Sequence, residues 1–502
     1  MSSFIRKTID TSIENQLVTA SIVSTPFLSK ISPIYDDTYI VNDYIRTICN
    51  WSLHYFNEYG EAPNLNINSI YELEKHTLDK SEAELIAASL AKLSKEYVDG
   101  GGINEEYVFD NTLKYFDKRD LTLRIERASL LKDAGRFNEA KTVLQRQPAL
   151  EKALCKWTDV FDPAFVTKVF DTNRRDLFTM PGIVGDLFGP FRRNWLVGIF
   201  GTFKKGKSWY LLEVGTQALI NKLNVAFFSL EMPDEEVGER FYKRITGAGD
   251  GEELYFPMFD CYLNQTGDCD REERRNKIII RTNGKQELIK YTKGYKSCSL
   301  CRGEDDCYKP EIYYDKIQSP VYESKLVRKT LKSFSMMYGK KFKLFCYPRF
   351  SASYDDIEND LLRLEIEEGF IPDVIVIDYA NILRPGSFAD RDKKTEIIDD
   401  IWKNLARISQ EKHCLVVTGA QGNRSSLKKI QQEEEDVADW IGILAHVNVF
   451  AAINQTSFEK SKGVIRFNIL EHRHRYFNPD RNVIVLQKLN AGQPLLDSEW
   501  DK

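Results

Sequence analysis

No stretch of the 502 residues approaches the roughly 18 consecutive apolar residues that a membrane-crossing helix requires, so none is expected. The first ten residues, Met-Ser-Ser-Phe-Ile-Arg-Lys-Thr-Ile-Asp, lack an apolar core followed by a cleavage site. No secretion signal is therefore expected, and the cytoplasm (host cytoplasm for a viral protein) is the expected compartment. There is no internal repeat and no low-complexity tract. Net positive charge is also missing: 70 Lys and Arg stand against 75 Asp and Glu, a balance of −5. That excludes an indiscriminate basic coat for nucleic acid and leaves room only for local basic loops. Cysteine is sparse outside one region. Of nine, Cys49, Cys155, Cys346 and Cys414 are scattered among apolar residues, and five lie between Cys261 and Cys307.

What is present centres on Gly201-Thr202-Phe203-Lys204-Lys205-Gly206-Lys207-Ser208, which fits G-x-x-x-x-G-K-[ST], the P-loop pattern. A short apolar run, Trp195 to Phe200, precedes it with strand character. Trp209 to Ile220 follows with apolar residues at helical spacing. A loop between strand and helix lets backbone N–H groups and the positive end of the helix cradle phosphates. Lys207 then reaches the β- and γ-phosphates of ATP, and the Ser208 hydroxyl holds Mg²⁺.

Three further strand ends carry polar groups. Pro372-Asp-Val-Ile-Val-Ile-Asp378 is an apolar strand ending in a carboxylate, a Walker B pattern in which Asp378 holds the Mg²⁺ water shell. Ala226-Phe-Phe-Ser-Leu-Glu-Met232 ends in Glu231, either a general base for water or an acidic first turn of the next helix. Thr418-Gly-Ala-Gln421 places an amide after a third strand, either a γ-phosphate sensor or an ordinary loop amide.

A length of 502 residues suggests roughly three units. Residues 1–120 read as a helical N-terminal collar domain and 121–180 as a helical linker. Residues 181–502 read as an α/β ATPase domain, with continuous apolar strands between helices implying a mostly parallel sheet buried on both faces. Residues 250–335 break that pattern and read as an insertion.

Phe227-Phe-Ser-Leu-Glu-Met232, Val376-Ile-Asp-Tyr379 and Gln421-Gly-Asn-Arg-Ser425, following this P-loop, resemble the RecA-like motor domain of the DnaB replicative helicases. The resemblance covers about 181–502 and extends more weakly to an all-helical N-terminal domain and linker. It implies a ring-shaped hexamer that translocates on single-stranded DNA and unwinds forks, using ATP and Mg²⁺, with a primase or helicase loader as partner. By position, Glu231 matches the catalytic glutamate, Asp378 the Walker B aspartate, and Gln421 the glutamine coupling nucleotide to the DNA loops. Arg473 and Arg475 match a Lys-x-Arg pair that reaches the neighbouring subunit's nucleotide, Arg475 as the arginine finger. The P-loop departs from the family in its basic and aromatic residues, and the interval between Glu231 and Asp378 is far longer, which is the insertion. A RecA-like recombinase filament and a nucleotide-gated DNA clamp or loader remain alternatives.

The insertion holds Cys298-Ser-Leu-Cys301 with Cys269 and Cys307 nearby. In a cytosolic protein this spacing suits a structural Zn²⁺ held by Cys269, Cys298, Cys301 and Cys307, with Cys261 in reserve. In a RecA-like ring the loops after the Walker B strand and after the Gln421 strand face the central pore. Arg391, Lys393, Lys394, Arg424, Lys428 and Lys429 lie there, suited to tracking phosphates without reading sequence.

Overall fold

The computed structural model describes residues 11–99, 103–145, 159–171, 176–251, 253–269, 271, 278–281, 291–303, 308–339, 341–385, 394–422, 429–437 and 441–501. The chain divides into two compact units, Met1–Phe165 and Val166–Lys502.

The first unit is built of helices, chiefly Thr11–Val23, Asp43–Tyr59, Lys80–Asp99 and Glu105–Asp133. Their apolar faces meet in a core containing Leu17, Val18, Ile45, Ile48, Ile86 and Phe116. Caps set the helix ends. Ser24 accepts from the Phe27 N–H, and Gly60 closes its helix at φ 74°, where a side chain would be strained. The helix Glu105–Asp133 runs unbroken across residue 120, because Phe116 and Ala128 bury on either side of that point. One acid is fully buried: Glu14 accepts from the Val41 N–H at 2.7 Å and from the Tyr115 hydroxyl.

The second unit is organised by a nine-stranded sheet. In chain order its strands are β1 (Leu196–Gly201), β2 (Val225–Ser229), β3 (Phe342–Cys346), β4 (Val374–Asp378), β5 (Leu415–Gln421), β6 (Val449–Asn454), β7 (Val464–His472), β8 (Val483–Lys488) and β9 (Gln493–Trp500). Across the sheet the order is β9-β8-β7-β6-β1-β5-β4-β2-β3. The six strands from β6 to β3 run parallel, and β7, β8 and β9 add antiparallel at one side. β1, β2, β4 and β6 are buried along their whole length, as helices on both faces demand. One face packs Val197, Ile199, Phe227 and Val376 against Leu211 and Val214 of the helix Lys207–Ile220. The other packs Phe228, Ile377 and Phe450 against Trp402 and Leu405 of the helix Lys394–Glu411 and Leu361 of the helix Tyr354–Glu368.

The insertion leaves after the helix Asp234–Thr246 and closes on itself. Gly249 bridges Val321, with its N–H donating to Pro320 O at 3.1 Å and its carbonyl accepting from Tyr322 at 2.9 Å. The helix Ser324–Tyr338 beyond this closure packs Phe334 on Phe241 of the helix Asp234–Thr246, so it belongs to the motor layer. Within the insertion, Glu253–Cys261 and Pro310–Gln318 form an antiparallel ribbon. Phe259 and Ile312 of that ribbon pack on Val464, Ile484 and Leu486, beside the antiparallel strands. Arg302 fixes it there through Asp497 and Glu499, each at 2.8 Å.

Candidate active site

The parallel strands end in one row, and the polar residues at those ends face each other because the register leaves no alternative. Gly201 at the end of β1 pairs with Gln421 at the end of β5, and Ser229 at the end of β2 pairs with Asp378 at the end of β4. Glu231 follows two residues beyond Ser229. The loop from Gly201 turns into the helix Lys207–Ile220 through Gly206, whose φ of 91° is a left-handed conformation that suits glycine.

Lys207 is nearly buried at 9% exposure, and its ammonium donates to the carbonyls of Gly201 and Thr202. Burial pushes it down to about 8, against the attraction of Asp378 and Glu231. Ser208 Oγ donates to Asp378 Oδ1 at 3.1 Å. Asp378 is fully buried, and its Oδ2 has no hydrogen-bond partner among the described residues. Burial pushes that carboxyl up to about 6, opposed first by the Ser208 hydrogen bond. A buried cation and a buried anion, each short of partners, are what a phosphate and a divalent metal would satisfy. Ser208 Oγ and Asp378 Oδ2 together fit the requirement of Mg²⁺ for one or two protein oxygens, the rest of its shell coming from water and phosphate.

Around them is a cavity of about 570 Å³, lined on the P-loop side by Phe203, Lys204, Lys205, Gly206, Lys207 and Ser208. Glu231 and Gln421 line it too, so the structure brings these sequence-identified residues to one site. Lys205 is turned aside, its ammonium donating to the Gln455 carbonyl, and burial lowers its pKa. Tyr379 donates to Gln421 Oε1 at 3.4 Å, and its ring lies 6.0 Å from Lys207 Nζ.

Sequence reasoning missed Arg240, Tyr379 and Arg349, all of which line this cavity. Arg349 Nη2 binds Glu231 Oε1 at 2.7 Å. Arg240 sits over the Trp209 ring at 5.1 Å. The only available signal was positional: Arg349 follows β3, whose carboxyl end shares the row.

Arg473 and Arg475 are placed differently. β7 runs antiparallel to β6, with His472 opposite Val449, and Val449 lies beside Val197 near the start of β1. The arginine turn therefore sits four residues back from Gly201, about 13 Å at ~3.3 Å per residue, at the opposite end of the strands. There Arg473 donates to Ala445 O, and Arg475 reaches Asp186 O at 3.5 Å. The turn is held by His472, whose Nδ1 accepts from the His474 N–H at 3.2 Å, and by His474 stacked on Trp195 at 4.9 Å.

Of the nucleic-acid candidates, Arg391, Lys393, Arg424 and Lys428 lie outside the described residues. Lys394 opens the helix Lys394–Glu411. Lys429 is engaged by Glu433 at 2.8 Å and Asp436 at 3.0 Å, so the acidic run neutralises it here. In the insertion, Cys307 lies outside the described residues, and among those described no group of three or more His, Cys, Asp or Glu is placed to hold a metal ion. Cys301 shares a buried cluster with Cys261 and Tyr308, and the Cys298 N–H donates to the buried Asp260 at 2.8 Å.

The fold is α/β of RecA-like type, with a P-loop at the carboxyl ends of its parallel strands. No family model and no curated protein matches the chain. Its structure is similar to one described as "The Structure Of A DnaB-Like Replicative Helicase And Its Interactions With Primase". The TM-score is 0.50 at 14% identity, over 96% of this chain and 98% of the other. A second similar structure, that of an isolated ATPase domain, gives a TM-score of 0.44 at 13% identity, over 67% of this chain and 97% of the other. The chain thus shares the fold of a DnaB-like replicative helicase. Among the described residues no helix is long and apolar enough to cross a membrane.

The two buried charges set a pH window. Phosphate binding favours protonated Lys207, so affinity falls as pH rises past about 8; Mg²⁺ requires ionised Asp378, so affinity falls as pH drops below about 6. Titrating a fluorescent ATP analogue with Mg²⁺ across pH should show strongest binding between these limits, with the acid limb lost in Asp378→Asn. A flat profile would contradict the site.

Proposed function

We propose that this chain is an ATP-dependent replicative DNA helicase, working as a ring-shaped hexamer that translocates on single-stranded DNA and unwinds duplex at a fork. The observation that carries the reading is the separation of two half-sites. The cavity of Lys207, Ser208 and Glu231, with Asp378 bonded to Ser208 behind it, lies at one end of the strands and the arginine turn at the other. Head-to-tail packing of copies sets one copy's arginines against the next copy's cavity, and a repeated heterologous contact forms a ring where the rotation between copies closes and a filament where it does not.

In that arrangement Lys207 binds the terminal phosphates and Glu231 accepts the proton of the attacking water. Ser208 and Asp378 would hold Mg²⁺, which would neutralise charge on the phosphates. Arg475, with Arg473 beside it, neutralises charge developing on the phosphoryl group of the neighbour. Gln421, bonded to Tyr379, links the cavity to the loop that follows β5. That loop and the one after β4 carry the basic candidates for DNA, of which Lys429 must leave Glu433 and Asp436 to reach a phosphate. A primase or loader as partner rests on the shared fold with a helicase described together with primase.

The test is unwinding of forked DNA with ATP beside Glu231→Gln, with mass measured with and without nucleotide. Unwinding by a six-fold assembly is expected, falling at least 100-fold in the variant while DNA binding persists. A filament, or DNA-stimulated hydrolysis without strand separation, would favour a recombinase or a clamp instead.

A structural Zn²⁺ in the insertion is the second part of the proposal. It rests on the Cys298-Ser-Leu-Cys301 spacing and on the burial of Cys301 beside Cys261. Metal analysis of the purified protein should find one zinc per chain, lost in a Cys298→Ser/Cys301→Ser variant. Zinc-free protein with an unchanged melting temperature would refute it.

A further inference from the structure

We propose that Arg349 is a second arginine for the terminal phosphate, supplied by the same chain, and that it latches Glu231 while that phosphate is absent. The inference rests on the proposed nucleotide site and adds a control on its general base.

Three observations place Arg349 for this role. Its Nη2 donates to Glu231 Oε1 at 2.7 Å. Both residues line the cavity that holds Lys207 and Ser208. Its backbone is fixed rather than free: the Tyr347 N–H donates to Ser229 O at 2.9 Å, which registers the start of the turn to the end of β2. The turn itself closes through the Ser351 N–H to Pro348 O at 3.1 Å, with the Ser351 hydroxyl on the same carbonyl at 2.6 Å. Phe350 completes it at φ 60°, a left-handed conformation that a non-glycine residue adopts only where its surroundings fix it. Glu231 lies two residues beyond Ser229, and Arg349 lies two beyond Tyr347, so adjacent strands hold the pair at the cavity rim.

The chemistry follows from charge. A carboxylate oxygen already accepting from a guanidinium is engaged and is not available to take the proton of a water. A bound triphosphate brings a terminal phosphate into the same cavity. Guanidinium binds phosphate oxygens bidentately, as it binds carboxylates, so phosphate and Glu231 compete for Arg349. Transfer of Arg349 to the phosphate frees Glu231 for water at the moment a substrate is present. A diphosphate lacks the group that draws Arg349 away, so the latch closes again once the terminal phosphate has been hydrolysed and released. The side chain of Arg349 is 61% exposed, so it can swing between partners without disturbing the core.

The test is a double-mutant cycle read by binding of a non-hydrolysable fluorescent ATP analogue and the matching ADP analogue, each with Mg²⁺. Arg349→Ala should weaken the triphosphate about tenfold and leave the diphosphate within about twofold. Glu231→Gln should tighten triphosphate binding several-fold more when Arg349 is present than in the Arg349→Ala background, because only there does it remove a competitor. Arg349→Lys should fall between. Equal effects of Glu231→Gln in both backgrounds, or equal loss of both nucleotides in Arg349→Ala, would overturn the latch alone. No nucleotide binding by the wild-type chain would overturn the proposed site with it. Unwinding activity is not needed for the measurement, so its absence would bear only on the helicase reading.

Discussion

The hydrogen bond from Ser208 to Asp378 ties the first turn of the P-loop helix to the end of β4, and much of the site depends on it. It gives a fully buried carboxylate one partner and leaves the other oxygen with none among the described residues. Lys207, one residue earlier, is nearly buried and is held by two carbonyls rather than by a carboxylate. Two charges left short of partners at one place cost folding energy. They persist because the parallel register fixes the strand ends beside one another. Thr418 reinforces this by donating to Ile377 O and accepting from the Ala380 N–H, both at 2.9 Å, which stitches β5 to the turn after Asp378.

The same architecture explains where the insertion can be tolerated. Its ends meet at Gly249 and Val321, so the motor sees it as one closed loop. Its ribbon packs beside β7, β8 and β9, and Arg302 binds acids of β9. The parallel strands that carry Gly201, Glu231, Asp378 and Gln421 are left alone. An added module on the antiparallel side need not disturb the nucleotide chemistry.

The core of this organisation was legible in the amino-acid order. β4 falls on Val374–Asp378, within the apolar run that the sequence displays, because a strand buried on both faces must be apolar throughout. The P-loop, Glu231, Asp378 and Gln421 were found from motifs because each sits at a strand end. Other elements were hidden for physical reasons. β9, Gln-Pro-Leu-Leu-Asp-Ser-Glu-Trp, is polar and contains proline, which an edge strand tolerates. The inserted ribbon is rich in tyrosine and charge, and its pattern is set by what it packs on. Arg349 has no motif; its meaning comes from register with β2, a tertiary fact. Lys429 reads as a free cation in sequence, yet folding brings Glu433 and Asp436 onto it. Of the four cysteines the spacing suggests for zinc, Cys307 lies outside the described residues, and Cys269, Cys298 and Cys301 are not gathered into a metal-holding group.

On the proposed function, one chain holds only half of the reaction centre, and the other half is a neighbour's arginine turn. The most direct measurement mixes two inactive variants, Lys207→Ala and Arg473→Ala/Arg475→Ala, and follows ATP hydrolysis. A Lys207→Ala chain keeps its arginines, and the arginine variant keeps its cavity. Random co-assembly at equal amounts should leave about a quarter of the interfaces intact, and hydrolysis should reappear only in the mixture. Mixed assemblies that form but stay inactive would contradict a site shared between copies.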